Sequence, residues 1–127
     1  EAVNDFDKNG KGAKVMGVKM PRDSGQYGVI EIDDSGKVLS IEEKPEHPKS
    51  NFAAVGFYIY DNRVIEFSKS LKKSPRGELE IVDLHNKYLE LGELDVNVIE
   101  GMWEDAGTFD SLLRVNNLIA EKEKRGK

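Results

Sequence analysis

The feature that most constrains the fold is a nearly continuous apolar run, Phe52-Ala53-Ala54-Val55-Gly56-Phe57-Tyr58-Ile59-Tyr60. The run has the length of a β-strand, and a strand without polar alternation is typical of positions buried on both faces of a sheet. We therefore predict that residues 52–60 form the central strand of a sheet with helices packed on it. A chain of 127 residues can build one core of this kind, so it is expected to be one domain or part of one.

The residues before this run predict strands and a hairpin. A strand is expected over residues 13–20, and the strands over residues 27–32 and 37–41 flank the turn Asp33-Asp34-Ser35-Gly36, which suits a hairpin. Residues 1–9 carry apolar side chains at helical spacing, and Gly10-Lys11-Gly12 is interpreted as the end of that helix.

The residues after the run alternate between helices and a strand. Asp61 is expected to cap a helix that reaches Leu71, a second helix is predicted over residues 78–91, and a half-buried strand over residues 94–99. Thr108 is expected to cap a final helix, whose inward-facing residues would be Phe109, Leu112, Leu113, Val115, Ile119 and Ala120. The predicted fold class is α/β, a mixed sheet flanked by helices.

Charge and composition exclude several functional classes. The formal net charge of −5 disfavours binding to nucleic acids and to anionic membrane surfaces. No apolar run approaches the roughly 20 residues of a membrane helix, so a soluble, cytoplasmic protein is expected. The chain has no cysteine and two histidines, so any metal site must be built from carboxylates.

Glu43-Lys44-Pro45 is the first candidate for a binding site. It follows a predicted strand, and open α/β sheets bind ligands at the carboxyl ends of their strands. A carboxylate can accept hydrogen bonds from adjacent sugar hydroxyls, and a neighbouring ammonium suits a phosphate. The alternative is an ordinary pair of solvated charges in a loop.

Asp105 and Arg76 are two further candidates. Asp105 precedes a predicted helix start and could hold Mg²⁺ together with water and substrate phosphates, or it could stabilise the helix N-terminus. Arg76 could bind a phosphate, or it could pair with Glu78 or Glu80. Tyr27-Gly28 could let a ligand approach the backbone, although a strand glycine is as often a bulge.

Five segments together resemble one family, the sugar-nucleotide pyrophosphorylases, and within it the thymidylyltransferase branch. They lie in the family's order: Gln26-Tyr27-Gly28-Val29, Ile41-Glu42-Glu43-Lys44-Pro45 with Pro48-Lys49-Ser50-Asn51, Ala54 to Asp61, Arg76-Gly77-Glu78-Leu79-Glu80-Ile81 and Asp105-Ala106-Gly107-Thr108. The resemblance implies a partial Rossmann-like nucleotidyltransferase fold. It covers only the C-terminal, sugar-binding half, because the family's G-x-G-T-R loop and its L-G-D-N segment have no counterpart here, so the nucleotide-binding half is expected to be absent.

The resemblance also implies roles for individual residues. Lys44 and Arg76 would neutralise phosphate charge in the reaction, and Asp105 would hold Mg²⁺. The positions implied to bind the sugar nucleotide are Tyr27, Gly28, Glu43, Lys44, Ala54, Tyr58 and Arg76.

The reaction so implied makes dTDP-glucose and pyrophosphate from dTTP and glucose-1-phosphate. Because the chain would supply only half of the active site, it is expected to be inactive alone. It is also expected to form a homo-oligomer or to bind a missing N-terminal half through an apolar surface around Phe6, Val15 and the inner strands. Three alternatives stay open. They are a regulatory or non-catalytic module that keeps the sugar-phosphate pocket, an enzyme for a different sugar-1-phosphate, and an interaction domain in which Glu43, Lys44 and Asp105 are ordinary surface charges.

Overall fold

The computed structural model describes residues 3, 6, 10–20, 24–101 and 103–125. Apart from Val3 and Phe6, the helix predicted over residues 1–9 lies outside the described residues. The backbone N–H of Gly10 donates to the Phe6 carbonyl at 2.7 Å, and Gly10 has a φ of +60°, so this glycine ends the helix as predicted. The strands are β1 (Ala13–Lys19), β2 (Gly28–Ile32), β3 (Val38–Glu43), β4 (Phe52–Tyr60) and β5 (Leu94–Ile99), and the helices are α1 (Val64–Lys69), α2 (Ile81–Glu90) and α3 (Phe109–Arg125).

The five strands form one mixed sheet in the order β3-β2-β4-β1-β5. β4 lies in the middle of this order, which confirms that it is the central strand. It pairs antiparallel with both β1 and β2, whereas β1 and β5 are parallel. The predicted hairpin is also confirmed, since β2 pairs antiparallel with β3 across a turn that is closed by a bond from the Gly36 N–H to the Asp33 carbonyl at 2.9 Å.

One face of the sheet is covered by α2. Val15, Ile30 and Ile41 are at most 2% exposed and pack with Val82 of the helix in a single cluster. Full burial of side chains of this size stabilises a fold by about 1.5–3 kcal/mol each. The predicted exposed surface around Val15 is therefore wrong, because α2 covers this residue within the chain itself.

The other face is covered only in part, and β4 departs there from the prediction of burial on both faces. Ala53 and Val55 are buried, but Gly56 is exposed and Phe57 is 51% exposed. The pairing of β1 with β4 shifts between Val15 and Gly17, so three residues of β4 lie opposite Met16 alone. Such an irregularity bends a strand and increases its twist. Among the described residues, the apolar cluster on this face, around Met16, Val18, Ala53 and Val55, includes no residue of a helix.

The prediction of an inward apolar face on the last helix is also wrong. α3 exposes 93% of Phe109, 60% of Leu113 and 54% of Ile119, because no other helix of the described chain packs along it. Its start is as predicted: the Thr108 hydroxyl accepts the Ser111 N–H at 3.1 Å, a capping bond. None of the described helices combines the length and the apolar character that a membrane span requires.

Asp61 links the sheet to the helices and does not cap α1, which begins at Val64 and whose N-cap residue, Arg63, makes no side-chain capping bond. Its carboxylate accepts the Gly12 N–H at 2.7 Å, the Tyr88 hydroxyl at 3.0 Å and the Arg63 N–H at 3.0 Å. It also accepts the Arg63 Nε–H at 2.9 Å. Bonds to the Arg63 guanidinium, ahead of the others, hold the pKa of Asp61 far below its usual range. The consequence is a fixed junction between β1, β4 and α2.

Candidate functional site

The edge where β2 starts and β3 ends brings two predicted segments side by side. Gly28 lies directly opposite Glu43 in the antiparallel register. The next residue pair is joined by a backbone hydrogen bond, in which the Lys44 N–H donates to the Tyr27 carbonyl at 3.0 Å. Because the Asp33–Gly36 turn fixes this register, Tyr27 and Gly28 are placed against Glu43 and Lys44 as one unit.

Gly28 sits in a narrow space between elements. A Cβ atom at this position would come within 3.2 Å of Val82 Cγ2 and within 3.5 Å of both Ala54 Cβ and Glu43 Oε2. The first distance is tighter than ordinary van der Waals contact, so a side chain at this position would force Val82 of α2 to shift. The same distances show that Ala54, another predicted site residue, and Glu43 both border Gly28.

Lys44 has a strained backbone. Its φ is +43°, in the left-handed region that side-chain-bearing residues rarely adopt, and the following Pro45 restricts it further. Its Nζ lies 4.0 Å from Glu43 Oε1, and its side chain is 47% exposed. Such strain in a non-glycine residue clusters at functional sites. The ammonium is thus held beside Glu43 and open to solvent.

Arg76 reaches Glu43 from a distant loop. The turn 74–77 is closed by the Gly77 N–H, which donates to the Ser74 carbonyl at 2.8 Å. Arg76 Nη1 lies 3.8 Å from Glu43 Oε1 and 3.6 Å from Glu80 Oε1, and its Nη2 lies 3.2 Å from Glu78 Oε2. The pairing with Glu78 and Glu80 that the sequence left open is therefore present, and it coexists with an approach to Glu43.

The environment of Glu43 makes it a ready partner for hydroxyl groups. Desolvation by burial raises the pKa of Glu43, the charge of Lys44 opposes that rise, and the charge of Glu80 adds to it. The pKa of Tyr58 is raised by burial and, in second place, by the negative charge of Glu43, so the two side chains lie within electrostatic range. A partly desolvated carboxylate beside a phenol can accept from and donate to a polyol.

His85 lies behind Tyr58 and was not predicted to have any part in the site. It sits in α2 as the sequence indicated, and it is completely buried, with Nε2 bonded to the Tyr60 hydroxyl at 2.7 Å. Its ring centroid is 4.8 Å from that of Tyr58, and its Nδ1 is buried without a hydrogen-bond partner. Desolvation lowers the pKa of His85 to about 4, so the ring is neutral near pH 7. No sequence signal marks this contact, because the three residues belong to a strand and a distant helix.

Asp105 lies apart from the other predicted residues. Its carboxylate accepts the Gly107 N–H at 3.1 Å, and no contact with Glu43, Lys44 or Arg76 is found among the described residues. The segment is connected to the site edge through Trp103, whose ring meets that of Tyr27 edge-on at 5.3 Å. In the described part of the chain, no three His, Cys, Asp or Glu residues are grouped so as to hold a metal ion. Trp103 is a site neighbour that the sequence placed only in an aromatic and acidic stretch.

The predicted residues thus divide into two groups. Glu43, Lys44 and Arg76 meet in one cluster with Tyr58 nearby, and Tyr27, Gly28 and Ala54 border it. Asp105 does not join that cluster. A cavity of about 570 Å³ opens near its segment, between Trp103, Glu104 and the α3 side chains Leu118 and Ile119.

Comparison with known proteins points to one family. The model of the family described as nucleotidyl transferase matches residues 1–122. A glucose-1-phosphate thymidylyltransferase of Mycolicibacterium smegmatis is 50% identical over 101 residues, which are 78% of this chain and 35% of the relative. One from Neisseria gonorrhoeae is 50% identical over 103 residues, 80% of this chain and 35% of the relative.

Solved structures agree with the fold. A crystal structure from Bacillus anthracis, described as a glucose-1-phosphate thymidylyltransferase in complex with sucrose, matches with a TM-score of 0.82 at 45% identity and covers 92% of this chain and 47% of that chain. A UDP-glucose pyrophosphorylase complexed with UDP-glucose has a TM-score of 0.81 at 22% identity, covering 95% of this chain and 48% of that chain, a likeness of fold alone.

The extent of these matches limits one prediction. The chain spans about a third of the length of the curated relatives, since the aligned segment is 35% of each. The predicted resemblance to this group of enzymes is confirmed, whereas its assignment to a C-terminal half is not supported by the matches.

Proposed function

Because the chain belongs to the nucleotidyl transferase family, we propose that it is the sugar-phosphate-binding portion of a glucose-1-phosphate thymidylyltransferase. The observation that carries this proposal is the cluster in which Glu43 lies 4.0 Å from the Lys44 ammonium and 3.8 Å from the Arg76 guanidinium. It combines an acceptor for sugar hydroxyls with two cations for a phosphate.

In the proposed reaction a glucose-1-phosphate oxygen attacks the α-phosphate of dTTP and pyrophosphate leaves. The attacking phosphate is already ionised, so no general base is required, and catalysis consists of positioning and charge neutralisation. Glu43 would accept from the sugar hydroxyls, with Tyr58 beside it, and the Gly28 backbone would lie against the sugar. Lys44 and Arg76 would hold the phosphate.

Asp105 is the proposed residue for Mg²⁺. It fits this role because hard Mg²⁺ is satisfied by one or two carboxylates with water and substrate phosphates. The exposed Asp105 carboxylate accepts the Gly107 N–H and has no second hydrogen-bond partner among the described residues. Mg²⁺, when bound, would neutralise phosphate charge.

The chain is further proposed to be inactive by itself. Its cluster holds groups suited to a sugar phosphate, and the exposed apolar side chains of α3, among them Phe109 and Leu113, favour association with another part of a longer polypeptide or with a second copy. Light scattering across a dilution series measures that association, and a monomer at all concentrations would contradict it.

The test of the proposed function is calorimetric titration of the 127-residue chain with glucose-1-phosphate, with and without Mg²⁺. Binding is expected to weaken at least about tenfold in Arg76→Ala and in Lys44→Ala, since each removes a charged partner of the phosphate. Lys72→Ala is the matched control, because Lys72 is an exposed lysine of the preceding loop.

Three results would contradict parts of the proposal. Equal affinity in Arg76→Ala and wild type would remove Arg76 from the site. Mg²⁺-dependent binding that survives Asp105→Ala would remove the metal role of Asp105. Turnover of dTTP by the chain alone would refute the proposed inactivity. Binding of glucose-1-phosphate by a longer polypeptide that forms no dTDP-glucose would favour the regulatory alternative.

A further inference from the structure

Arg76 is surrounded by three carboxylates that differ widely in exposure. The side chain of Glu80 is 11% exposed, that of Glu43 is 21% exposed and that of Glu78 is 64% exposed. The shortest distance is the one to Glu78, at 3.2 Å. Distance alone therefore does not identify the partner that fixes the guanidinium, because water screens an exposed pair far more strongly than a buried one.

Glu80 is the carboxylate with a fixed position. It stands at the N-cap of α2, but its side chain does not cap the helix. Instead, Oε1 accepts the Ser74 hydroxyl at 2.8 Å and lies 3.6 Å from Arg76 Nη1. Ser74 Oγ in turn accepts the Arg76 backbone N–H at 3.2 Å. Glu80 is thus bonded to the turn that carries Arg76 and faces its guanidinium at the same time.

Glu78 differs in each of these respects. Its carboxylate contacts the other terminal nitrogen, Nη2, and has no second hydrogen-bond partner among the described residues. An exposed carboxylate on Nη2 occupies a position that a phosphate oxygen could take, whereas Glu80 and Glu43 bracket Nη1. The two glutamates of this loop are therefore expected to have opposite effects on an incoming anion.

We propose that Glu80 is a positioning residue that holds the Arg76 guanidinium towards Glu43, and that Glu78 is its exchangeable counter-ion. This inference rests on the proposed function, in which Arg76 binds the phosphate of a sugar phosphate. Glu80 itself does not touch that ligand. It acts by keeping Nη2 aimed at the phosphate position while Nη1 stays between two carboxylates.

The test compares Glu80→Gln with Glu78→Gln, two isosteric changes that each remove one negative charge beside the same arginine. The first measurement needs no ligand: the ¹⁵N–{¹H} NOE of the Arg76 Nε–H reports how rigid the side chain is. It is expected to fall in Glu80→Gln and to stay near the wild-type value in Glu78→Gln. The reverse order would overturn the proposal.

The second measurement is the affinity for glucose-1-phosphate. Glu80→Gln is expected to weaken binding about tenfold, because a partly buried charge partner is lost, while Glu78→Gln strengthens it about twofold by removing a competing anion. Thermal unfolding midpoints that stay close to wild type exclude a general structural effect. If Glu80→Gln does not fold, Ser74→Ala replaces it, since that change frees the Glu80 carboxylate and is expected to lower both the NOE and the affinity.

The outcomes separate this proposal from the proposed function. If glucose-1-phosphate binds and Arg76→Ala weakens it, but Glu80→Gln leaves both the affinity and the NOE unchanged, then only the positioning role is refuted. If the wild-type chain does not bind the ligand, the proposed function fails, and the NOE still decides whether Glu80 holds Arg76.

Discussion

Acidification should destabilise this chain through His85, and the size of the effect can be worked out from its burial. His85 is fully buried, and desolvation lowers its pKa from 6.5 to about 4. Protonation therefore favours the unfolded state, where the ring is solvated. Its contribution to stability is complete above pH 6.5 and is lost as the pH falls towards the folded-state pKa.

The magnitude follows from the two pKa values. Between pH 7.5 and pH 5.5 the His85 ring takes up a proton in the unfolded chain but stays almost wholly neutral in the folded chain. This difference lowers the free energy of unfolding by about 1.3 kcal/mol. Below pH 4 the loss approaches about 3.4 kcal/mol, the full value of the shift. The range down to pH 5.5 is the practical one, because the isoelectric point near 5.1 favours precipitation at lower pH.

The assay is urea unfolding followed by circular dichroism at pH 7.5 and pH 5.5. From pH 7.5 to pH 5.5 the free energy of unfolding of wild type is expected to fall by about 1.3 kcal/mol more than that of His85→Asn, because the variant carries no titrating ring at this position. His47→Asn is the matched control, because His47 is the other histidine and is exposed in a loop. His85→Phe serves if His85→Asn does not fold. A difference between wild type and the His85 variant below about 0.3 kcal/mol would refute the reasoning from burial.

Three further predictions concern other parts of the structure. Asp61→Asn should lower the free energy of unfolding by about 2 kcal/mol in urea titration near pH 7, because it weakens the hydrogen bonds of an aspartate side chain that is 9% exposed. Gly28→Ala should destabilise the chain by about 1 kcal/mol and weaken glucose-1-phosphate binding, because the added Cβ would stand 3.2 Å from Val82 Cγ2. Asp33→Ala should speed hydrogen exchange at the Lys37 amide, since that N–H loses a bond of 3.0 Å.

Each of these predictions has a refuting result, and the first two also have a matched control. Asp34→Asn changes an exposed aspartate of the hairpin and should leave stability unchanged, so an equal loss in both aspartate variants would contradict the argument about Asp61. Gly56→Ala adds a Cβ where nothing lies within 4 Å, and a loss as large as that of Gly28→Ala would show that space is not the cause. An unchanged rate of hydrogen exchange at the Lys37 amide in Asp33→Ala would mean that strand pairing alone stabilises the turn.

Local features were predictable because their causes are local. The hairpin follows from Asp33 to Gly36, where Gly36 takes a φ of +85° and Asp33 accepts the Ser35 N–H at 2.8 Å. The placement of Glu43 and Lys44 beside Tyr27 and Gly28 follows from that register. The apolar run 52–60 gave the central strand, since few other positions in a sheet accommodate so many apolar residues.

The features that could not be predicted depend on contacts between helices, strands and loops that are distant in sequence. The sequence of α3 has helical apolar spacing, but that spacing does not show whether another element packs on Phe109, which is 93% exposed. The approach of Arg76 to Glu43 depends on a turn more than thirty residues away in sequence. The Tyr60–His85 bond likewise joins a strand to a distant helix. Asp105 was predicted as a site residue from its place before a helix start and from the resemblance, but the hydrogen bond that its carboxylate accepts is a local one from Gly107.

The position of β1 in the sheet has a consequence for synthesis on the ribosome. β1 pairs with β4, through Ala13 and Tyr60, and with β5, through Ala13 and Leu94. Both partners emerge long after β1, and at about 5–20 residues per second the interval from β1 to β5 lasts about 4–15 seconds. During that time Val15, Met16 and Val18, all at most 4% exposed once folded, lack their second strand neighbour. This segment is therefore the expected binding site for a chaperone during translation, and slow codons between β4 and β5 would prolong its exposure.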